Sequence, residues 1–589
     1  MKRGKNLTVL LGSAILLFAL SGTGYADVVH VYRDGTGLCP TIQAGIDTVG
    51  AAGTVIVEPG TYTGDGNRDI EFRGKAITVR SINPNDPSIV AATVIDLQGT
   101  SADSHYAFIF DSGEDANSVL DGVTITNSIV TNPASSGIYC GQGSAVIRNC
   151  IICDMHSYST KKGYYEKGSA VEVVGGDITL ENCTLTRNVG SGDPDTSPWP
   201  STGMKRFTCG GVDIYAGSVT LLDCTLSDNY SWYAGAVVNW GGAVVLTDCQ
   251  IVHNSGHECG GLSSLGTAVL TNCLFAGNTS AVDGGALVNH QELVAINCTF
   301  AGNDAAGAGD ALYNANDQII TDLVNCILWN VDDEIASVDG AVSSVSYCCV
   351  RGGFAGEGNF DADPCFIDPA SDDCRLMMHS PCIDTGLGDV ASDTDILGHR
   401  RWNSIFVDNI GTGSPDCVDI GAHEFRIPPY LHRFWSPLLS RHFYTASKAE
   451  KDHITATYAS YVWTYEGPAF RVFDAPVDRN VRPVHRFWSP ALGSHFYTID
   501  EDEKEYIVTT HAANIWTYEG VAFYACTPGD WPLGTVAVHR FWSDSLGSHF
   551  YTTDQDEKDS LIDEHSDVWT YEGIAWYACY NIMQWPSIL

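Results

Sequence analysis

Positively charged residues are scarce in this 589-residue sequence, which has 31 Lys and Arg against 71 Asp and Glu and a formal net charge of −40. A chain this acidic will not bind nucleic acid through its overall field. Long apolar runs are also missing after residue 20, where no stretch approaches the ~20 apolar residues of a membrane helix. We therefore expect no nucleic-acid partner and no transmembrane segment. The acidity fits a well-solvated surface, and scattered calcium sites are its functional alternative.

The first residues have the composition of a secretory signal. Three cations, Lys2, Arg3 and Lys5, precede an apolar run from Leu7 to Leu20, and small residues follow. This pattern predicts a signal peptide over residues 1–26 and export of the rest of the chain. The rest is too long for one ordinary core, so several domains or a solenoid are expected.

Several of the 20 cysteines recur at one position of an internal repeat. Each is followed four or five residues later by an asparagine, and from Cys224 to Cys298 the period is 24 to 25 residues. Each unit reads as short β-rich runs between Gly and Asn turns, with no apolar pattern long enough for a helix. A period of this kind predicts a parallel β-helix over residues 27–425. The repeated residues are Cys183, Cys224, Cys249, Cys273, Cys298 and Cys326, with Asn188, Asn229, Asn254, Asn278, Asn303 and Asn330.

Stacked coils place equivalent residues about 4.8 Å apart, which assigns a role to both columns. The asparagines are expected to hydrogen-bond along the stack at a turn that tolerates left-handed geometry. The cysteines are expected to fill an internal row as small, buried apolar groups. They are expected to stay reduced, because in-register Cβ vectors run parallel and do not converge as a disulfide requires. Other cysteines leave this pattern, and disulfides of undetermined connectivity are open to them: Cys348, Cys349, Cys365, Cys374, Cys382 and Cys417.

Several segments resemble known families of β-helix proteins. Residues 39–46, 53–62 and 74–81 are similar to the opening of secreted bacterial right-handed β-helix proteins of the pectin-lyase-like superfamily. Phe-Ala-Gly-Asn followed by Gly-Gly-Ala-Leu, at residues 275–287, resembles the repeats of chlamydial-type polymorphic outer-membrane proteins. The closing motifs resemble the end of the choice-of-anchor β-helix family, whose members carry varied C-terminal sorting or adhesion modules. These motifs lie at residues 361–369, 380–386, 395–400 and 418–425.

Beyond a predicted linker at residues 426–430, residues 431–589 contain three copies of one unit. Each copy opens with His-Arg-Phe-Trp, continues with His-Phe-Tyr-Thr and closes with Trp-Thr-Tyr-Glu-Gly. Capping-box spacings predict a helix between the second and third motifs. Each unit should therefore form strand, turn, strand, helix and strand, and the three units a small pseudo-threefold β-rich (α+β) domain. The repeats resemble a bacterial repeat domain of unknown function at the C-termini of secreted hydrolases and lipoproteins. The capping pairs are Ser447 with Glu450, Asp500 with Glu503, and Asp554 with Glu557.

The aromatic and histidine residues of these repeats have two interpretations. They fill the core of a small domain, or some rings are platforms for sugar faces with His and Glu as polar partners. The candidate ligand-binding residues are Trp463, Trp516, Trp569, His442, His495 and His549.

A catalytic site in the β-helix cannot be assigned from the sequence. Enzymes of the superfamily need clustered acids, or a basic residue with calcium carboxylates. The Asn-Thr-Asp, Asp-Asp and Arg-Ile-Lys constellation of polygalacturonases is absent from the sequence. A few polar residues could share one face, although a solvated loop is the simpler interpretation of each: His253, His257, Glu258, Asp213, Asp283, Asp310, Lys161, Lys162, Tyr164 and Tyr165.

These observations predict an exported carbohydrate-binding or adhesion protein, at the cell surface or outside the cell, with a rigid β-helical stalk and a C-terminal recognition module. The alternative is a polysaccharide lyase or glycoside hydrolase with a carbohydrate-binding appendage. The expected partner is a polysaccharide or a cell-surface glycan. No cofactor is predicted, and calcium is left open. Two carboxylates and a base in one groove would favour the enzyme.

Overall fold

The computed structural model forms two compact units, residues 1–362 and residues 363–589. It describes residues 26–100, 102–131, 136–158, 169–190, 209–317, 319–339, 341–377, 380–404, 407–425, 429–473, 481–512, 514–527 and 535–579. The predicted signal peptide up to residue 25, the cations and tyrosines at 161–165 and most of the predicted linker lie outside these ranges. The fold class is confirmed, because the chain is mainly β, with a right-handed parallel β-solenoid of about 11 turns and a separate antiparallel region.

Three parallel sheets run the length of the solenoid, and each coil contributes in turn to sheets 2, 1 and 3. Sheet 1 has twelve strands and sheet 2 has ten. Sheet 1 comprises Ala26–Val31, Val49–Val57, Thr78–Ser81, Val119–Asp121, Ser144–Arg148, Asp177–Glu181, Ser218–Leu222, Ala243–Thr247, Thr267–Thr271, Glu292–Ile296, Ile320–Val324 and Val342–Ser346. Sheet 2 comprises Ile70–Glu71, Phe108–Phe110, Ile138–Cys140, Val171–Val173, Val212–Ile214, Val237–Asn239, Leu262–Ser264, Leu287–Asn289, Leu312–Asn314 and Ile335–Ser337.

Sheet 3 is built from shorter strands, many of them in pairs separated by one or two residues. It comprises Gly60–Tyr62, Thr93–Gly99, Thr124–Thr131, Ile151–Cys153, Met155–Tyr158, Thr184–Thr186, Val189–Gly190, Thr225–Ser227, Tyr230–Ser231, Gln250–Val252, Ser255–Gly256, Leu274–Ala276, Thr279–Ser280, Thr299–Ala301, Asp304–Ala305, Ile327–Trp329 and Cys349–Val350. Helix α1 (Ile42–Thr48) packs Ile42 and Ile46 against the first coils, and helix α2 is Pro87–Ala92.

Alternating side chains along each strand fill the interior of the solenoid. On sheet 1 the inward column runs in register through Leu180, Leu221, Leu246 and Leu270, all of them buried. On sheet 3, Phe275 and Phe300 stack with ring centroids 5.2 Å apart. Because every coil repeats the pattern, one continuous apolar core extends along the stack.

The cysteine column is confirmed as an internal row of free, buried thiols. All six predicted members are buried and unpaired. Each thiol donates to a carbonyl two residues earlier, as Cys224 Sγ does to Leu222 O at 3.3 Å. Burial raises the pKa of Cys183 well above its ordinary value, so this thiol stays protonated.

The cysteine column is also longer than predicted, because Cys150 and Cys348 make the same contacts at its two ends. Assigning Cys348 outside the column was therefore wrong. No disulfide is formed by the cysteines whose side chains the structure describes, including the six for which disulfides were left open.

The asparagine column forms a continuous hydrogen-bonded ladder inside the stack. Each amide oxygen accepts the backbone N–H and the side-chain Nδ2 of its counterpart one coil earlier, as Asn254 does from Asn229 at 3.1 and 2.9 Å. The ladder runs from Asn188 to Asn330 and ends on Glu334, whose two oxygens accept the N–H and Nδ2 of Asn330 at 2.7 and 2.6 Å.

The left-handed turn residues are not the ladder asparagines, which corrects the sequence prediction. One set comprises the residues immediately before each ladder cysteine, from Asn182 to Asn325, with φ between 50° and 56°, and a second set precedes the ladder asparagines from Asn188 to Asn303, with φ between 54° and 64°. A short polar side chain tolerates this conformation best, which explains why Asn or Asp precedes each of these cysteines.

Residues 363–425 open the second unit with a hairpin of Phe366–Asp368 and Asp373–Leu376 and short 3₁₀ turns at Pro369–Ser371 and Gly388–Val390. Buried carboxylates hold its loops. Asp395 accepts the backbone N–H groups of His399 and Glu424 at 2.7 and 2.9 Å, and Glu424 pairs with Arg401 at 3.0 Å. The acidic residues of the closing motifs therefore replace the regular ladder that this segment lacks.

Each of the three C-terminal repeats contributes three antiparallel strands and one helix, and pairing between the last strands joins the repeats in one nine-stranded sheet. The capping predictions are confirmed, since Ser447, Asp500 and Asp554 accept the N–H groups of Glu450, Glu503 and Glu557. No helix in the described ranges has the length and apolar character needed to cross a membrane. Repeat 1 comprises Tyr430–Ser436, Arg441–Thr445, α3 (Lys448–Thr457) and Thr464–Arg471; repeat 2, Val481–Ser489, Ser494–Thr498, α4 (Glu501–Thr510) and Thr517–Cys526; repeat 3, Thr535–Ser543, Ser548–Thr552, α5 (Gln555–Asp563) and Thr570–Cys579.

A ring of tyrosines closes the repeats around a pseudo-threefold axis. Tyr444, Tyr497 and Tyr551 are buried edge to face, with centroids 5.7 to 5.9 Å apart. Each hydroxyl donates to the backbone oxygen of the next tyrosine and accepts a backbone N–H from it, as Tyr497 does with Tyr444 at 2.7 and 3.2 Å. The three repeats are thereby joined in a cycle.

Candidate functional site

The outer face of sheet 2 is unusual because its outward-pointing residues are buried. In the strand Val171–Val173 the two valines point into the core, so Glu172 points outward, and it is 0% exposed. Its neighbour in register, Asp213, is also 0% exposed. Burying a carboxylate is costly unless it is hydrogen-bonded, so this face has a specific polar environment.

Glu172 and Asp213 lie side by side on successive coils, with backbones about 4.8 Å apart as in any parallel pair. Asp213 accepts Trp240 Nε1 at 2.7 Å and the Tyr215 hydroxyl at 3.1 Å. Glu172 accepts the Ser136 hydroxyl at 3.3 Å. These three donors are all neutral groups.

Aromatic rings surround this carboxylate pair on both sides. Tyr139 is the register neighbour of Glu172, and its ring lies 5.3 Å from that of Tyr106. On the other side, Trp240 stacks near Tyr215 at 6.4 Å and Tyr233 at 4.7 Å. We name these five half-buried rings the aromatic face. Rings with polar groups between them are the usual lining of a sugar-binding surface.

The carboxylates also fix the protonation state of the nearby phenols. Burial, and then the charge of Asp213, raise the pKa of Tyr215 well above its ordinary value. Burial and the charge of Glu172 do the same for Tyr106. Both tyrosines therefore remain neutral hydroxyl donors at any physiological pH.

The structure separates the polar residues that the sequence grouped as a possible face. Of the three aspartates, Asp213 belongs to the aromatic face, whereas Asp283 and Asp310 accept backbone N–H groups in loops. His257 stacks on Trp232 at 4.2 Å, with Glu258 3.5 Å from its ring nitrogen. The exposed His253 lies at the end of a sheet 3 strand.

Among the predicted ligand-binding residues of the repeats, the tryptophans anchor the helices. Trp463, Trp516 and Trp569 are half-buried, and each ring lies next to a core phenylalanine. The centroid distances are 5.9 Å to Phe443, 6.0 Å to Phe496 and 5.9 Å to Phe550. The more exposed ring of each Trp-Thr-Tyr-Glu-Gly motif is its tyrosine: Tyr465, Tyr518 and Tyr571, 38 to 41% exposed.

The predicted histidines lie between repeats. His442 packs against Trp435 of its own repeat and Phe550 of repeat 3, each at 4.8 Å, and approaches Glu466 at 3.3 Å. His495 and His549 repeat this arrangement around the ring, against the phenylalanine of the preceding repeat. The structure therefore places these histidines in the contacts that join the repeats.

Sequence reasoning missed Glu172 and most of the aromatic face. A signal was present, because Val-Glu-Val and Val-Asp-Ile each place one carboxylate in the middle of an apolar strand. In the part of the chain that the structure describes, no group of three or more His, Cys, Asp or Glu could hold a metal ion.

Comparisons with known proteins give one family match and several distantly similar solved structures. Residues 430–579 match the family model of a domain of unknown function, DUF5648. Similar solved structures include a pectate lyase (15% identity, TM-score 0.44, covering 69% of this chain and 98% of that chain) and a rhamnogalacturonan lyase (14%, 0.34, 58% and 91%). Another is the pectin methylesterase from Aspergillus niger (12%, 0.26, 58% and 91%). No curated protein matches the sequence. The family match agrees with the C-terminal repeat domain of unknown function that the sequence predicts.

Proposed function

We propose that this is an exported carbohydrate-binding protein, at the cell surface or outside the cell, that holds a polysaccharide against the aromatic face of its solenoid. The observation that carries the proposal is the set of half-buried rings flanking Glu172 and Asp213 on successive coils. A solenoid repeats its surface at a fixed spacing, which suits a ligand that is itself a repeating chain. The acidic N-terminal two-thirds of the chain would then act as the scaffold, and the repeat domain would make a second contact with the polysaccharide.

A glycoside hydrolase is the second candidate, favoured by the carboxylate pair itself. Retaining glycosidases hold their two carboxyl groups roughly 5 to 5.5 Å apart, close to the spacing of two neighbouring coils. Both carboxylates are fully buried, however, and both oxygens of Asp213 already accept hydrogen bonds. Binding is therefore the better-supported function.

A glycan array followed by titration of the best ligand tests the proposal. Replacing Trp240 with Ala removes one ring from the face, and Tyr139→Ala removes another on the opposite side of the carboxylates. Each should weaken binding by about three- to tenfold, the value of one aromatic contact. Tyr32→Ala, which removes an exposed ring elsewhere on the solenoid, should leave the affinity unchanged. Equal affinities for all three variants would contradict the proposal.

Substitutions of the carboxylates separate the two functions. Asp213→Asn and Glu172→Gln keep the size of each side chain. If the protein only binds, no reducing ends appear with the wild type or with either variant. Release of reducing ends by the wild type and its loss in both variants would instead establish that the protein cleaves the glycan.

A further inference from the structure

A cavity of about 380 Å³ lies between repeat 1 and repeat 3 of the C-terminal domain. Its walls come from two neighbouring elements of the ring, the last strand of repeat 1 and the turn that leads into helix α5. The volume is within the range of roughly 300 to 1,000 Å³ that small-molecule sites occupy.

An arginine that is paired with two glutamates lines the cavity. Arg433 contacts Glu466 of its own repeat at 2.9 Å and Glu557 of repeat 3 at 3.1 Å. The hydrogen bond to His442, with the charge of Arg433, holds the pKa of Glu466 below its ordinary value, so this carboxylate is ionised. The two ion pairs hold the guanidinium and both carboxylates in place at the cavity wall.

Two more carboxylates and two hydroxyls complete the wall. Asp554 caps helix α5 with one oxygen, and Asp556 is exposed in its first turn. Thr552 and Thr553 line the cavity beside them. With one cation and four carboxylates among its lining residues, the cavity has an excess of negative charge.

The same positions in the other repeats are less polar, so this cavity departs from the threefold symmetry. Thr553 corresponds to Ala446 and Ile499, which pack against the apolar core of the ring. Asp556 corresponds to Ala449 in repeat 1 and Asp502 in repeat 2. The combination of a hydroxyl at the first position and a carboxylate at the second occurs only in repeat 3.

We propose that the cavity between repeats 1 and 3 binds one sugar unit that carries no negative charge, and that an amino sugar fits it best. Carboxylates, threonine hydroxyls and the arginine match a ring of hydroxyl groups, and the excess negative charge favours an ammonium group and repels a uronate. The inference does not rest on the aromatic face, which lies in the other compact unit.

Calorimetric titration of the full-length protein with glucosamine, glucose and glucuronate tests the order of affinities. Glucosamine should bind most tightly, glucose at least threefold more weakly, and glucuronate not measurably. Glucosamine binding should weaken with rising salt, because charge attraction contributes to it. Equal affinities for all three sugars, preference for glucuronate, or no binding of any would overturn the proposal.

Two variants locate the binding to this cavity. Thr553→Ile replaces the hydroxyl at the cavity wall with the apolar residue that repeat 2 already carries at this position, so the fold should be preserved and binding weakened. Asp556→Asn removes one exposed charge and should weaken glucosamine more than glucose. Asp563→Asn removes the same charge from the other end of helix α5 and should change neither. Unchanged glucosamine binding in Thr553→Ile, with the variant folded, would place the site elsewhere and overturn the inference.

Discussion

The solenoid and the C-terminal domain both repeat one unit, but they handle their buried polar groups in opposite ways. In the solenoid the asparagine ladder is linear, and each amide oxygen accepts the donors of the asparagine one coil earlier. The last asparagine, Asn330, has two donors left over, and Glu334 accepts both. In the repeat domain the tyrosine hydroxyls bond in a cycle with no free end. A linear stack needs a special residue at its terminus, whereas a closed ring needs all of its members.

The ion pairs of the repeat domain show the same closure. Arg433, Arg486 and Arg540 each bond the glutamate of their own last strand and one helix glutamate of the preceding repeat. Removing one repeat from such a ring breaks two interfaces, while removing a coil from a solenoid lets its neighbours stack again. The difference predicts where single substitutions are most damaging.

The largest effect is expected in the ring. Tyr497→Ala removes a fully buried side chain and both hydrogen bonds to Tyr444, and it should destabilise the repeat domain by about 3 to 5 kcal/mol. Differential scanning calorimetry should show one transition moving to lower temperature while the solenoid transition stays in place. Tyr518→Ala, at an exposed tyrosine of the same repeat, should shift the same transition little. Similar shifts for both variants would show that the closed ring is not the stabilising element.

A smaller effect is expected within the ladder. Asn254→Ala leaves the backbone N–H of Asn229 and one of its two Nδ2 hydrogens without an acceptor, while the other still donates to Leu185 O, and it should cost about 2 to 3 kcal/mol. Urea unfolding should show a lower midpoint for the solenoid, and Gln250→Ala, at an exposed position on the same coil, should not change it. A midpoint equal to that of the wild type would mean that the coils relax enough to restore these bonds.

How much of the molecule the sequence predicts differs between the two regions for physical reasons. Ladder residues such as Cys249 and Asn254 recur at one period because every coil has the same neighbours, so repetition reveals their burial. The positions that break the repeat carry no such signal. Glu334 lies four residues beyond Asn330 with no equivalent in earlier coils, and its partner can be found only once the stack is built.

The aromatic face and the rings of the C-terminal domain show a second limit. Sequence shows that Trp516 and Tyr518 are two residues apart in one motif, and it does not show which ring the helix covers. In the structure the ring of Trp516 lies next to Phe496, and Tyr518 is the more exposed ring. Similarly, Glu172 and Asp213 are 41 residues apart in the chain, and an insertion of irregular length hides their register.

The smallest and most specific effect is expected at the end of the ladder, where a charged residue completes a neutral chain of amides. Burial raises the pKa of Glu334 to about 7, with Asp310 adding to the shift and Arg351 opposing it. A carboxyl group whose pKa is higher in the folded state binds its proton more tightly there, so its contribution to stability falls as pH rises from about 4.5 to about 7.

Glu334→Gln should abolish this slope, which is at most about 1.4 kcal/mol per pH unit. At pH 8 the same variant should be at least as stable as the wild type, because one amide oxygen can accept both donors of Asn330, as Asn330 itself does for Asn303, and no buried charge remains. Urea unfolding at several pH values measures both effects. If the variant keeps the wild-type slope, Glu334 is not the titrating group, and the ladder must end on another acceptor.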